Sequence, residues 1–326
     1  MAKRIGGQIA RFILLMASVS LVVFLLVGSS PIDPVQANVG QAALSNMSPE
    51  KLAELESYWG KDIPIFERYW TWLVALFQGD LGMSLRFNAP VADVIANRAL
   101  NSLVLLSIAW VASGVLGFIL GILAGANRGS FIDRIVKAYC FILAASPTFW
   151  VAIIMLIVFS VALGWFPIGF SSPIGVASTD VSLTDAMSHL ALPAITLTVV
   201  GIANIALHTR EKTIDVMESP YMKFAMARGE STRQAVLRHG VRNLLIPGMT
   251  IQFAQIAEIF GGSVLVEQVF SYPGLGQAAV TAGIGGDVAL LAGIALVSAA
   301  LVFGGNLLAN ILYVVIDPRT RRKVTV

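Results

Sequence analysis

Six long uncharged segments constrain this chain more than any other feature. They are spread over 326 residues, and each is near the ~20 residues that an α-helix needs to cross about 30 Å of hydrocarbon. A helix is the expected spanning structure because it satisfies its backbone polar groups internally. The sequence therefore predicts an all-α integral membrane protein with six transmembrane helices. They are expected at 12–28 and within 99–127, 138–165, 186–209, 243–266 and 288–316.

The composition excludes a water-soluble globule. Hydrophobic residues make up 56% of the chain, charged residues 13%, and the mean hydropathy is +0.79, whereas soluble domains contain about 25% charged residues. The formal net charge of +3 does not indicate a nucleic-acid partner, because the basic residues lie between apolar runs. The single cysteine, Cys140, starts one such run and is expected to be a small buried residue.

Lys and Arg residues indicate the orientation in the membrane. Of the 22 in the chain, 17 lie at the two termini or in the loops after the second and fourth segments, and five lie within 30–98. The positive-inside rule then predicts cytoplasmic N- and C-termini and a long external loop between helices 1 and 2. The predicted organisation is a tail and first helix at 1–29, the external segment at 30–98 and a core domain at 99–326. That core carries a cytoplasmic loop at 210–243.

The first segment also resembles a cleaved signal peptide. Basic residues precede its apolar core, and Val35-Gln36-Ala37 has the pattern of a cleavage site. The core is long for a signal, however, and Pro31 and Pro34 crowd the site. We therefore interpret the segment as a transmembrane helix.

Two amphipathic helices are predicted in the external segment. Ser48-Pro49 marks a helix start and Gly60 a stop, which gives a helix over 49–59. The stretch that follows reads ERYWTWLVALF and contains Tyr69, Trp70, Trp72 and Phe77. Two interpretations of these aromatic residues stay open, namely a helix at the membrane surface and packing against neighbouring helix ends.

Three glycines in the second segment predict close helix packing. Gly117, Gly121 and Gly125 recur at four-residue spacing, so they form one stripe along a helix. Such a stripe lets another backbone approach closely.

A cationic, helix-forming stretch interrupts the apolar sequence between the fourth and fifth segments. It reads PYMKFAMARGESTRQ from 220 to 234. Ser219 is expected to cap a helix that begins at Pro220 and ends at Arg228, and Gly229 suits the left-handed residue that follows many helices. The spacing of Ser231 and Gln234 predicts a capping box and a second helix.

One face of the first of these helices indicates a docking element. Its three- and four-residue spacing groups Tyr221, Phe224, Ala225 and Arg228. The alternative is an ordinary surface turn with positive-inside charges. That alternative explains the arginines but leaves the two aromatic residues without a role.

Glu258 is the one charged residue in the fifth segment. An ionisable group inside a span is expensive to bury and indicates function by default. It lines a translocation path and meets a cationic part of a substrate, or it hydrogen-bonds a neighbouring helix or is protonated. Both interpretations stay open.

The sequence lacks the common motifs of catalysis. No GxxxxGK[ST] loop occurs, since the only Gly-Lys pair, Gly60-Lys61, is followed by Asp62. HExxH and GxSxG are absent, and the three histidines, His189, His208 and His239, lack ligand-like spacing. We therefore expect no catalytic residue, no metal site and no cofactor bound by this chain.

Motifs along nearly the whole chain resemble permease subunits of ATP-binding-cassette (ABC) importers, specifically the dipeptide, oligopeptide and nickel family. KFAMARG followed by RHGVRNLLIP resembles the cytoplasmic EAA-type loop of that family. The other motifs are GDLGMSL, PVADVI, SPTFW, LGWFP, HLALPAITL, GGSVLVEQVFSYPGLGQ and NLLANILYVVIDPRTRR.

The resemblance implies a coupling helix at 220–229 that fits a groove on a cytoplasmic ATPase. The implied docking residues are Pro220, Tyr221, Phe224, Ala225, Arg228 and Gly229. Ala225 and Gly229 match the third alanine and the glycine of the motif, whereas Lys223 replaces its glutamate. Pro247 follows the pattern of this particular family.

The resemblance also implies partners and a location. The partners are a second, similar permease, two ATPases that use ATP and Mg²⁺, an extracytoplasmic substrate-binding protein and membrane lipid, without nucleic acid. The location is the bacterial cytoplasmic (inner) membrane, which the chain crosses several times.

The implied function is import of di- and oligopeptides, and three alternatives remain. Nickel or a metallophore complex is one, because an acid precedes the paired glycines Gly261 and Gly262, as in nickel-type members. A secondary transporter is less favoured, since the spans contain one charge and no evident repeat. An intramembrane enzyme would need a catalytic pair, and only Glu258 is available.

Overall fold

The computed structural model describes residues 2–30, 33–59, 63–173, 175 and 180–316. These residues are mostly α-helical, with one short antiparallel hairpin. The chain divides into two compact units. The first comprises Met1–Ser102 and Pro273–Phe303, and the second comprises Leu103–Tyr272 and Gly304–Val326.

The described part of the chain up to residue 126 contains six helices and the hairpin. The helices are α1 (Ala2–Gly28), α2 (Pro34–Val39), α3 (Gln41–Leu44), α4 (Pro49–Tyr58), α5 (Ile65–Phe77) and α6 (Val91–Ala126). The strands are β1 (Met83–Ser84) and β2 (Ala89–Pro90), with Met83 opposite Pro90 and Ser84 opposite Ala89.

The described part after residue 130 contains nine α-helices and two π-helical segments. The first of them are α7 (Phe131–Ala145), α8 (Thr148–Met155), π1 (Leu156–Ala162), α9 (Leu183–Met217) and α10 (Pro220–Ala227). The others are α11 (Thr232–Ala235), π2 (Val236–Gly240), α12 (Val241–Ala254), α13 (Ile256–Val269), α14 (Leu275–Gly285) and α15 (Val288–Ile316).

Four helices among the described residues are long and apolar enough to cross a membrane. They are Gly6–Gly28, Val91–Ala126, Leu183–Met217 and Val288–Leu308. Two bent helix pairs pass the same test, which raises the possible number of spans to six. The all-helical membrane architecture is thus confirmed, while the six-span topology and its orientation stay predictions.

The structure corrects the prediction of one continuous third helix over 138–165. Helix α7 ends at Ala145, and the chain turns by 108° before the α8–π1 segment begins at Thr148. Pro147 explains the turn, because a proline disfavours helical backbone in the preceding residue. Ser146 accordingly has an extended ψ of 129°. The fifth segment is broken as well, by 46° between α12 and α13 at Gln255.

In the first unit, the aromatic stretch packs on α1. Trp72 is buried beside Phe24, with ring centroids 5.1 Å apart, and the Tyr69 hydroxyl lies 3.1 Å from Ser20 Oγ. Trp70 and Phe77 are exposed. One face of the stretch therefore packs on a neighbouring helix, as one of the two interpretations expected, and a place at the membrane surface stays a prediction for the other face.

The short N-terminal helices of this unit agree with the sequence signals. The Ser48 hydroxyl caps α4 by accepting the Lys51 N–H, and the predicted stop, Gly60, lies outside the described residues. Val35, in the pattern of a signal cleavage site, is 1% exposed within α2. Pro31 also lies outside the described residues.

In the second unit, α9 is the buried central helix, and the glycine stripe of α6 packs directly on it. A Cβ at Gly121 would lie 2.7 Å from the Ala206 carbonyl oxygen, and one at Gly125 would lie 2.7 Å from that of Arg210. The predicted close approach is therefore confirmed. Cys140 is fully buried, also as predicted.

Candidate functional site: helix α10 and a polar cavity

Helix α10 begins at Pro220 and ends at Ala227, with Arg228 as its C-cap, so its bounds agree with the prediction to within one residue. Gly229 follows with a φ of +93°, in the region that favours glycine. The structure corrects the role of Ser219. This residue is at the N-cap, but its hydroxyl donates to the Val216 carbonyl and accepts no helix N–H.

The next helix begins with the predicted capping box. The Gln234 N–H donates to Ser231 Oγ, and the Ser231 N–H donates to Gln234 Oε1 at 3.0 Å. The two reciprocal bonds satisfy amide groups that a helix start leaves free. They also fix the chain directly after Gly229.

Helix α10 has a buried face and an exposed face. Met222 is 0% exposed and packs in a cluster with Ala225, Ala235 and Val236. Ala225 is 6% exposed, which corrects its predicted place on the docking surface. Ala225 instead packs in the buried cluster that holds α10 to the rest of the unit.

The exposed face carries aromatic and cationic side chains. Tyr221 is 44% and Phe224 is 64% exposed, and the Arg228 guanidinium lies 5.9 Å from the centroid of the Phe224 ring. The Tyr221 hydroxyl accepts a hydrogen bond from Asn243 Nδ2 at 3.1 Å. Exposed aromatic rings ordered in this way are typical of a protein-binding surface.

Lys223 lines a cavity of about 530 Å³ beside this face. The cavity also contacts Arg128 and Glu218, which pair at 2.9 Å. Lys223, which replaces the glutamate of the EAA motif, is thus exposed and lines the same cavity as Arg128.

A buried ion pair between α7 and α9 was not predicted from the sequence. Asp133, in the first turn of α7, accepts from Arg210 Nε at 2.5 Å and from Arg210 Nη2 at 3.0 Å. The two side chains are 1% and 10% exposed, and the Gly129 N–H also donates to Asp133 at 2.9 Å. Arg210 lies in the last two turns of α9, so the pair fixes the end of the helix that leads into α10.

Sequence reasoning treated Arg210 as one of many topology signals. Ser130 and Asp133 have the spacing of a helix cap, and the Asp133 N–H does donate to Ser130 Oγ. That signal marks the start of α7. It does not identify a partner 77 residues away in the chain.

Glu258 lies in the first turn of α13, beside the break at Gln255. Its side chain is exposed, and Oε2 accepts from Asn204 Nδ2 at 3.3 Å. The carboxylate borders a cavity of about 60 Å³ that Thr148, Asn204 and Gln255 also line. A role in translocation stays a prediction, but this geometry orients the Glu258 carboxylate through Asn204 and leaves the side chain exposed.

No group of three or more His, Cys, Asp or Glu residues within the described ranges has the arrangement of a metal site. Helix α10 and the cavity at Glu258 are the candidate sites in the second unit.

Comparison with known proteins identifies the family. Residues 117–322 match the family described as binding-protein-dependent transport system inner membrane component. Residues 1–106 match the N-terminal region of binding-protein-dependent transport system membrane components. Together the two matches include α1, α10 and the cavity at Glu258.

Several curated proteins are similar over nearly the whole chain. The oligopeptide transport system permease protein AppB of Bacillus subtilis (strain 168) is 33% identical, with 94% of this chain and 95% of AppB aligned. The di/tripeptide transport system permease protein DppB of Pseudomonas aeruginosa (strain UCBPP-PA14) is 32% identical, with 99% and 98% aligned. A putative peptide permease protein of Brucella suis is 32% identical, with 94% and 95% aligned.

Both the family matches and the full-length relatives agree with the helical architecture and with the resemblance carried by the motifs. The chain belongs to the family of inner membrane components of binding-protein-dependent transport systems.

Proposed function

We propose that this chain is the transmembrane permease subunit of an ATP-driven importer of di- and oligopeptides. The observation that carries the proposal is the similarity, over 94% or more of the chain, to proteins named as peptide permeases. Substrate would arrive on an extracytoplasmic binding protein and pass between this subunit and a second, similar permease.

Helix α10 supplies the mechanical connection in this proposal. Its exposed face, with Tyr221, Phe224 and Arg228, docks in a groove of a cytoplasmic ATPase, while Met222 and Ala225 tie it to the permease. The ATPase subunits bind ATP and Mg²⁺, and this chain binds neither. Their closure moves α10 and with it the membrane helices, which gives alternating access.

The proposal includes a six-span topology in which each bent pair counts as one span. Reporters inserted near Arg233 and fused after Val326 should then read cytoplasmic, and one near Asn46 should read external. The division of Lys and Arg, 17 to five, supports this orientation. An external C-terminal reporter would overturn it.

Uptake in cells tests the substrate. Cells that lack this subunit and cells in which it is restored are given labelled trialanine and, separately, radioactive nickel. The proposal predicts that trialanine uptake returns with the subunit while nickel uptake is unchanged. Restored nickel uptake without restored peptide uptake would replace peptides by nickel as the substrate class.

A further inference from the structure

The two helix breaks of the second unit meet at the small cavity beside Glu258. Thr148 is the first residue of α8, directly after the 108° turn, and Gln255 joins α12 to α13 at the 46° bend. Asn204, from the unbroken helix α9, completes the polar lining. We call this space the break cavity and define it by Thr148, Asn204, Gln255 and Glu258. Broken helices are where membrane transporters commonly place binding groups.

Gln255 has a side-chain oxygen without a partner. The residue is 4% exposed, and its Oε1 is buried and accepts no hydrogen bond in the structure. The backbone of Gln255 is satisfied, because its N–H donates to Ile251 and its carbonyl accepts from Ile259. A buried polar atom left unsatisfied is destabilising. The side-chain oxygen is itself buried, so a donor in the cavity reaches it once the amide turns toward the cavity.

Glu258 adds the charge. A carboxylate has about four acceptor positions, and among the described residues Glu258 accepts one hydrogen bond, of 3.3 Å, from Asn204 Nδ2. This bond orients the carboxylate and occupies an Asn204 donor. No Lys or Arg lines the break cavity in the part of the chain that the structure describes, so the negative charge has no cation beside it.

The size of the cavity limits what this end of a ligand can be. Its volume of about 60 Å³ leaves room for a few water molecules and is far below the roughly 300 Å³ of a small-molecule pocket. An ammonium group fits this description, since it is compact, positively charged and carries three N–H donors without an acceptor. Glu258, Gln255 and Thr148 line the cavity, and each of these residue types carries a side-chain acceptor.

We propose that the break cavity binds the N-terminal ammonium group of a peptide as the peptide crosses the permease. This inference rests on the proposed function, because it requires that peptides are the cargo. It assigns Glu258 as the counter-ion, Gln255 as the second acceptor and Asn204 as the residue that positions Glu258. The other parts of the peptide lie outside the cavity.

A comparison of two cargo peptides tests the inference in the complete importer. Transport of trialanine and of N-acetyl-trialanine is measured in vesicles with wild-type permease and with Glu258→Gln, each peptide at a concentration that saturates the binding protein. The rate for trialanine is divided by the rate for N-acetyl-trialanine, and this preference is compared between wild type and variant. The binding protein is the same in all four measurements, so its own selectivity does not affect that comparison. Loss of a charged hydrogen bond predicts that Glu258→Gln lowers the preference for the free amine roughly tenfold.

Gln255→Met serves as the second variant, because it keeps the length of the side chain but removes the acceptor. It should lower the same preference roughly threefold. Asp215→Asn is the control, since it removes an exposed carboxylate of α9 that does not line the cavity, and it should leave the preference unchanged. Membrane abundance is measured for every variant.

The outcomes separate this inference from the proposed function. If wild-type importer carries neither peptide, the peptide function fails and the inference fails with it. If wild-type importer carries trialanine, and Glu258→Gln or Gln255→Met at normal abundance slows both peptides equally, the function stands. The break cavity then does not bind the ammonium group.

Discussion

Gly229 carries the sharpest single-residue expectation. Its φ of +93° is unfavourable for residues with a Cβ, whereas among the described residues no atom beyond the two chain neighbours lies within 4 Å of where that Cβ would be. A substitution therefore strains only the backbone, by roughly 1–2 kcal/mol, which is too little to unfold the protein. We expect Gly229→Val to reach the membrane at near-normal levels but to lose uptake, with ATPases bound weakly or hydrolysing ATP without transport.

Gly229→Ala should be milder than valine, and Gly164→Val is the matched control. Gly164 also has a positive φ, of +64°, and open space around it, but it follows π1 and is not part of the α10 loop. Abundance, ATPase copurification and uptake are measured in the same strains. Normal uptake in Gly229→Val would remove the coupling role of α10.

The buried pair of Asp133 and Arg210 makes a stability prediction. Asp133→Asn leaves a guanidinium that is 10% exposed without its full counter-charge, and breaking a buried pair in this way costs about 3 kcal/mol. Glu218→Gln breaks the Arg128 pair, whose side chains are 62% and 64% exposed, and should change stability by about 1 kcal/mol or less. Thermal unfolding of the purified variants in detergent compares them. Equal losses of thermal stability would show that the burial of the Asp133 pair has no energetic consequence.

For single residues, the sequence predicts local backbone conformation and burial better than it predicts which distant residue a side chain contacts. Gly229, the capping box at Ser231 and the burial of Cys140 follow from local rules, and the structure has each of them. Spacing along a helix could not show that Ala225 is buried, because this residue lies between the exposed face of α10, with Tyr221, and the buried face, with Met222. Nor could it show the partner of Asp133, because that contact depends on the packing of α7 on α9.

At the scale of elements, the two faces of α10 should respond differently to truncation. Phe224→Ala removes a side chain that is 64% exposed, so stability should change little while ATPase binding and uptake fall. Met222→Ala empties a site that is 0% exposed and should destabilise the protein by about 2–5 kcal/mol. Tyr221→Ala should resemble Phe224→Ala. The assignment of faces fails if Phe224→Ala destabilises the protein as much as Met222→Ala does.

The glycine stripe predicts a packing effect between two helices. Gly121→Ala places a Cβ 2.7 Å from the Ala206 carbonyl oxygen, so α6 and α9 must move apart at about 1–3 kcal/mol. Gly261→Ala is the control, because it adds the same methyl group to a helical glycine with nothing within 4 Å. Thermal unfolding should separate the two variants by several degrees, and identical midpoints would contradict the close contact.

The two helix breaks are features that the sequence did not predict. Pro147 coincides with a 108° turn, yet Pro193 lies inside the continuous helix α9 and Pro247 lies inside α12. At Gln255 the chain bends by 46° without a proline or glycine at that residue. Long apolar runs therefore predict which segments are apolar enough to cross a membrane. Whether a run is one straight helix depends on the neighbours that pack against it.

At the scale of the whole molecule, hydropathy and charge predict the class, and motifs predict the family. The apolar runs explain why each unit is helical, and matches over 1–106 and 117–322 agree with the motif resemblance. The break cavity is different, because its lining comes from residues 148, 204, 255 and 258. Among these, only Glu258 is marked in the sequence, as a charged residue within an apolar segment. The other three become its neighbours only in the folded chain.

We expect this chain to move peptides only as one part of an ATP-driven assembly, and reconstitution in vesicles tests this expectation. Uptake of labelled trialanine is measured in vesicles with the chain alone, with the complete set of permease, ATPase and binding proteins, and with that set deprived of ATP. We predict uptake by the complete set with ATP and none in the other two. Uptake by the chain alone would make it a self-sufficient transporter, and uptake by the complete set without ATP would show that transport does not need ATP.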